Sequence, residues 1–171
     1  TGSPMTFRMR PSVALPTGTV NQPYNAALES DGASGSYQFS KLVGTLPNGV
    51  TLNPNGTFSG TPTQPGAFAL TVQTQDANGC SGSQEFSLTV NCQTITVTAP
   101  ANNSGFANAS FSAQFTQSGG VGTTTFGTSN TLPTGITLAP SGTLSGTTAQ
   151  TGSFPLVVTA TDSNGCTGTV N

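Results

Sequence analysis

The sequence predicts an all-β protein built as two tandem copies of one small β-sandwich, and three observations carry that prediction. The segment from Leu46 to Gly82 realigns without a gap on Leu132 to Gly168, a constant offset of 86 residues with more than half of the positions identical. Self-similarity at a fixed period marks a chain made of copies of one structural unit. Within the copies, Phe68, Leu70 and Val72 alternate with polar or small residues, as do Phe86, Leu88 and Val90, and Phe154, Leu156 and Val158. That is the period of a strand with one buried face. Pro, Gly and Asn turn signals separate these short runs, and no stretch carries a helical apolar stripe free of Gly, Pro or β-branched residues. Strands at such spacing predict a sandwich.

The elements follow in order. Thr6-Phe-Arg-Met-Arg10 alternates so that Phe7 and Met9 share one face, and it has a counterpart in Thr94-Ile-Thr-Val-Thr98. Val20 to Leu28 answers to Ala107 to Phe115, and Tyr37-Gln-Phe39 to Thr124-Thr-Phe126, with a one-residue slip relative to the stronger block. Val50-Thr-Leu52 and Thr57-Phe-Ser59 flank the turn NPNG, and Ile136-Thr-Leu138 and Thr143-Leu-Ser145 flank APSG, each a hairpin. Asp76-Ala-Asn-Gly79 and Asp162-Ser-Asn-Gly165 mark a further hairpin turn, in which Asp can bond its own backbone and Gly can take positive φ. The first copy then continues through Gln84 to Val90, whereas the second reaches Asn171 where its last strand is due. The expected domains are residues 1–91 and residues 92–171, the second lacking its last strand.

Composition excludes several function classes. Among 171 residues there are three Lys+Arg, five Asp+Glu, no His and no Trp, with 22 Gly and 12 Pro. Three cations, Arg8, Arg10 and Lys41, make no stripe able to follow a phosphate backbone or an anionic leaflet, so neither nucleic acid nor a membrane is an expected partner. No apolar stretch approaches the ~20 residues of a spanning helix. Without His, and with carboxylates scattered at Glu29, Asp31, Asp76, Glu85 and Asp162, no enzyme and no cofactor is expected. Ser and Thr together number about fifty, which suits strands with a neutral polar face, and the net charge of −2 argues against disorder.

The string LPxGxxLxxxGxxSGTxxxxGxFxLxVxxxDxNGCxG, present twice, resembles the He_PIG family of bacterial extracellular proteins. The resemblance implies immunoglobulin-like, cadherin-like β-sandwiches in tandem arrays outside the cell, occurring as spacers, adhesin stalks and enzyme appendages. It brings no catalytic residue. In a sandwich of this type Cys80 and Cys92 bracket the last strand of the first copy, some 30 Å apart, too far for a bond that needs Cα atoms within about 7 Å. Cys166 is expected at the pole facing the linker, so a Cys92 to Cys166 disulfide is predicted to staple the two modules, leaving Cys80 as the odd thiol; three reduced, buried cysteines are the alternative. The incomplete second copy has two explanations: a fragment of a longer array, or a strand supplied by another chain. Phe7 and Met9 belong either to such a donor strand or to the first strand of the first copy.

Glu29, Asp31, Asp76 and Glu85 are expected near one pole, where oxygen ligands can bind Ca²⁺, but an Asx-turn role for Asp76 and Asp162 with the other carboxylates solvated is the simpler reading. Asn55, Asn102 and Asn108 each open an N-glycosylation acceptor triplet. Tyr24, Tyr37 and the ten Phe fit core packing better than a sugar platform. The expectation is therefore an extracellular structural or adhesive module of a bacterial surface protein, a stalk, spacer or filament subunit whose partners are further Ig-like repeats of the same or a neighbouring chain, up to a homopolymer. The alternative is a glycan- or protein-binding module of a secreted protein.

Overall fold

The structure, a computed structural model, describes residues 8–10, 14–31 and 35–171, the first three by backbone alone. It divides into two compact units, Thr1–Cys92 and Gln93–Asn171. Among the described residues every regular element is a strand.

In the first unit, β1 (Arg8–Arg10) pairs with β4 (Glu29–Asp31), with Met9 opposite Ser30. A three-stranded sheet follows the order β3 (Tyr24–Ala27), β7 (Thr57–Gly60), β6 (Val50–Leu52). A four-stranded sheet follows the order β2 (Gly18–Thr19), β9 (Ser81–Asn91), β8 (Gly66–Asp76), β5 (Tyr37–Gly44), with β2 parallel to β9. The second unit repeats the scheme. There β10 (Thr96–Thr98) pairs with β12 (Thr116–Ser118), and β15 (Thr143–Thr147) lies between β11 (Ser110–Gln114) and β14 (Ile136–Leu138). The third sheet places β16 (Val158–Thr161) between β13 (Thr125–Thr128) and β17 (Thr167–Val170).

Alternation determines what is buried. Leu70 and Val72 of β8, Phe86, Leu88 and Val90 of β9, and Phe58 of β7 are all at most 2% exposed, while their strand neighbours face solvent. Tyr24 is buried as well, and its hydroxyl donates to the Pro16 carbonyl at 2.8 Å. Burial without a charged partner pushes its pKa up to about 12. In the second unit Ile95, Val97, Phe115, Val158, Ala160 and Cys166 form the core, with Phe126, Leu144 and Leu156 packed against it only partly buried.

The repeat extends to backbone geometry. Asn21 and Asn108 take φ of 61° and 63°, and the glycine pairs Gly49/Gly135, Gly56/Gly142 and Gly79/Gly165 agree within 2° in positive φ. Gly49/Gly135 and Gly56/Gly142 are also crowded, as is a further pair, Gly60/Gly146. A Cβ on Gly60 or Gly146 would run into the carbonyl of Gly49 or Gly135, which explains the fixed spacing of the LPxG and SGT blocks. A Cβ on Gly56 would lie 2.7 Å from both the Leu28 carbonyl and the Phe39 ring.

That second contact marks a joint. The Gly56 carbonyl accepts the Leu28 N–H at 2.9 Å and the Pro54 carbonyl accepts the Phe39 N–H at 2.8 Å. In the copy, Gly142 accepts from Phe115 and Pro140 from Phe126, each at 2.9 Å. The hairpin turn thus ties the end of one sheet's strand to the start of the other's.

Two strand boundaries differ from the sequence expectation. β9 begins at Ser81, directly after the Asp76 turn, not near Gln84, so Glu85 lies inside the strand opposite Thr71. For the same reason the second unit holds the first four residues of its last strand, β17, paired with β16 from Thr161↔Thr167 to Val158↔Val170.

Gly56→Ala and Gly142→Ala should each lower stability in urea unfolding by about 2–4 kcal/mol, combining backbone strain and overpacking. Gly79→Ala, with the same φ class but open space around it, should cost only about 1 kcal/mol. Equal losses at all three positions would show that crowding at the joint contributes nothing.

Candidate functional site

The two Asp-x-Asn-Gly-Cys turns are built alike. Asp76 Oδ1 accepts the backbone N–H of Asn78 and of Cys80, both at 2.9 Å. Asp162 Oδ1 accepts those of Asn164 and Cys166, also at 2.9 Å. Gly79 and Gly165 complete the turns at φ of 83° and 81°. Both aspartates are buried, so the carboxylate replaces water as the acceptor for N–H groups that the turn leaves unpaired.

Asp162 does more. Its Oδ2 accepts the Gln93 side-chain amide at 2.6 Å and the Val121 N–H at 3.0 Å. The first residue of the second unit, the loop before β13 and the β16–β17 turn therefore meet on one carboxylate. Burial by itself raises the Asp162 pKa, but the hydrogen bonds from Val121, Gln93, Cys166 and Asn164 outweigh it and hold the group below its ordinary value. Sequence reading identified the aspartate; it missed Gln93, which lies 69 residues away with no motif around it.

The cysteines flank these turns. Cys92 and Cys166 are disulfide-bonded and Cys80 is free. Cys80 and Cys92 stand at opposite ends of the 11-residue β9. Phe7 lies outside the described residues; Met9 sits in β1, in register with Ser30.

The carboxylates expected to gather at a calcium-binding pole do not do so. Glu85 is mid-strand and exposed, Asp76 is consumed in its turn, and among the described residues no group of three or more His, Cys, Asp or Glu could hold a metal. Of the eleven described aromatics, Tyr24, Phe39, Phe58, Phe86 and Phe115 are buried and Tyr37, Phe68, Phe111 and Phe126 are partly buried. No helix of the described residues is long and apolar enough to cross a membrane.

Two phenylalanines depart from that pattern. Phe106 is 87% exposed and Phe154 is 42% exposed, and both border a cavity of about 580 Å³ in the second unit. Phe111, Phe115, Ile136 and Leu144 line its floor. Three of the matching residues in the first unit, Tyr24, Leu28 and Phe58, are covered to 4% exposure or less.

Because the folded-state pKa of Asp162 is depressed, its contribution is present above its unfolded value and is lost as pH falls through the folded one. The second unit should therefore lose stability on acidification from about pH 4 downward. Asp162→Asn should abolish that dependence. It should also cost about 2–3 kcal/mol at neutral pH, since an amide NH₂ cannot accept from Gln93 and Val121. An acid transition of the second unit unchanged in Asp162→Asn, followed by NMR, would contradict this account.

Residues 6–91 and 93–171 each match the family model He_PIG, described as Putative Ig domain. No curated protein matches the chain. Similar solved structures include a putative α-galactosidase of Bacteroides fragilis, at 17% identity and TM-score 0.43, covering 53% of this chain and 19% of that one. Extracellular cadherin domains 3–6 of protocadherin gamma B2 match at 15% identity and TM-score 0.42, covering 96% of this chain and 51% of that one. The human desmocollin-1 ectodomain matches at 14% and 0.41, covering 99% and 36%. The chain thus spans about half or less of the length of these structures. Two family matches over nearly the whole chain, on two all-β units with the same strand scheme, identify it as a tandem member of the He_PIG family of Ig domains.

Proposed function

We propose that this chain is an extracellular structural or adhesive segment of a bacterial surface protein, serving as a stalk, spacer or filament subunit and performing no catalysis. The observation that carries the reading is where the reactive side chains go. Both turn aspartates are spent holding backbone N–H groups, and two of the three cysteines are in disulfide linkage. Such a bond belongs to an oxidising compartment. The remaining surface is Thr, Ser, Asn and Gly, which keeps a repeat soluble without attracting charged matter.

Cys92 pairs with Cys166 in this reading. The geometry that supports it is the Gln93 to Asp162 hydrogen bond, since residue 93 follows one cysteine and the Asp162 turn precedes the other. Residue 92, at the junction of the units, is then fixed covalently to the second unit's last turn. The pairing of β1 with β4 favours Met9 as part of the first unit's own first strand over a donor strand for a neighbouring chain.

Peptic mapping without reductant should recover Cys92 linked to Cys166, with Cys80 alone alkylated. Reduction should destabilise the second unit by about 4 kcal/mol, the chain-entropy value for a loop of this length. A Cys80 to Cys92 link would contradict the pairing. Antibody against the chain should label intact producing cells, and labelling only after permeabilisation would contradict the extracellular role.

A further inference from the structure

Four Asn-Gly pairs occur in the chain, at residues 48–49, 55–56, 78–79 and 164–165. Each stands in a tight turn, with its glycine at φ between 81° and 89°. Their places in those turns differ. In three of them the glycine is the fourth residue and its N–H closes the turn: Gly56 donates to the Asn53 carbonyl at 2.9 Å, Gly79 to that of Asp76 at 3.1 Å and Gly165 to that of Asp162 at 3.0 Å. In the turn from Pro47 to Val50 the glycine is the third residue, where a type II turn requires positive φ. There the Val50 N–H closes the turn on the Pro47 carbonyl at 3.1 Å, and the Gly49 N–H has no acceptor among the described residues.

The asparagine side chains are held differently too. Asn55 Oδ1 accepts the Thr57 N–H at 3.1 Å and the Thr57 hydroxyl at 2.7 Å, which fixes its carboxamide. Asn48 and Gly49 are both exposed, and the Asn48 carboxamide makes no hydrogen bond among the described residues.

We infer that Asn48-Gly49 is a site of self-modification, the one pair of the four whose nucleophile and carboxamide are both unengaged in the folded chain. The Gly49 nitrogen, giving up its proton to solvent hydroxide, attacks the Asn48 side-chain carbonyl carbon. A C–N bond forms, the bond to the side-chain NH₂ breaks, and ammonia leaves behind a five-membered cyclic imide. Water then opens the imide. Addition at the former side-chain carbonyl yields aspartate, and addition at the main-chain carbonyl yields isoaspartate, in which the backbone runs through the old side chain. One water is consumed, one ammonia is released and nothing is oxidised or reduced. Where the glycine N–H already closes a turn, that bond must break first, which slows the reaction roughly two- to tenfold.

The product bears on a joint of the first unit. The Asn48 carbonyl accepts the Thr63 N–H and the Gly49 carbonyl accepts the Thr61 N–H, both at 3.0 Å, while the Asn21 N–H donates to the Pro62 carbonyl of the same run at 2.9 Å. The extra backbone carbon of isoaspartate moves the first two acceptors out of register. In the second unit the Gly135 carbonyl accepts the Thr147 N–H at 3.1 Å in the same way, but residue 134 is Thr and has no amide to lose. Ageing therefore acts on this turn in one copy, adding a negative charge there, and spares its twin. The inference does not depend on where the protein resides.

The test incubates the full chain at physiological pH and temperature and follows all four pairs by peptide mapping with mass spectrometry, using an isoaspartyl methyltransferase to label isoaspartate. Position 48 should gain the mass of NH₂ replaced by OH first, about two- to tenfold faster than positions 55, 78 and 164. In urea the four should react at comparable rates, since the turns that separate them are gone. Asn48→Thr, which places the residue of the second unit in the turn, should fold normally and lose the fast product. The aged chain should show severalfold faster amide exchange at Thr61 and Thr63, and not at Thr147. Reaction at another pair before position 48, equal rates in the folded chain, or the same preference persisting in urea would overturn the inference. Unchanged exchange at Thr61 and Thr63 in chains carrying isoaspartate would overturn its effect on the joint.

Discussion

Each unit depends on a short turn whose carbonyl groups join its two sheets. The Asn53 to Thr57 turn offers Pro54 and Gly56 carbonyls to Phe39 and Leu28, and the Ala139 to Thr143 turn offers Pro140 and Gly142 carbonyls to Phe126 and Phe115. Such a turn requires glycine twice over: φ is near +89°, and the space a Cβ would fill is taken by the partner strand's carbonyl and an aromatic ring. Sheets joined this way present their apolar faces to each other before any side chain is chosen. The alternation of Phe, Leu and Val then decides how well the interior is filled.

This constraint explains how much of the molecule was legible in the sequence. The strand alternation, the paired turns and the Asp-Asn-Gly hairpins recur at a fixed offset, so their local physics could be read directly. The reason for the LPxG to SGT spacing could not, since it comes from the backbone of Gly60 approaching that of Gly49 across a hairpin. Nor could the parallel pairing of Gly18–Thr19 with β9, a two-residue contact between segments about 70 residues apart. Asp162 was legible as a turn former but its link to Gln93 was not, because a single glutamine carries no pattern.

The scarcity of charge has a different meaning in the two units. All three cations and four of the five acids lie in the first, and the fifth acid, Asp162, is buried in a turn. The second unit therefore presents hydroxyls, amides and the two exposed phenylalanines, Phe106 and Phe154, in place of charge. Association through such a surface is governed by shape and apolar pattern, with little long-range steering.

The most direct test of this account is residue-resolved amide exchange of the Leu28, Phe39, Phe115 and Phe126 N–H groups, the four that donate to the turn carbonyls. If the turns are the joints on which the sheets depend, these four amides exchange only through unfolding of their whole unit and rank with its slowest. Rapid exchange of the four, while β8 and β16 stay protected, would show that the sheets hold together without them.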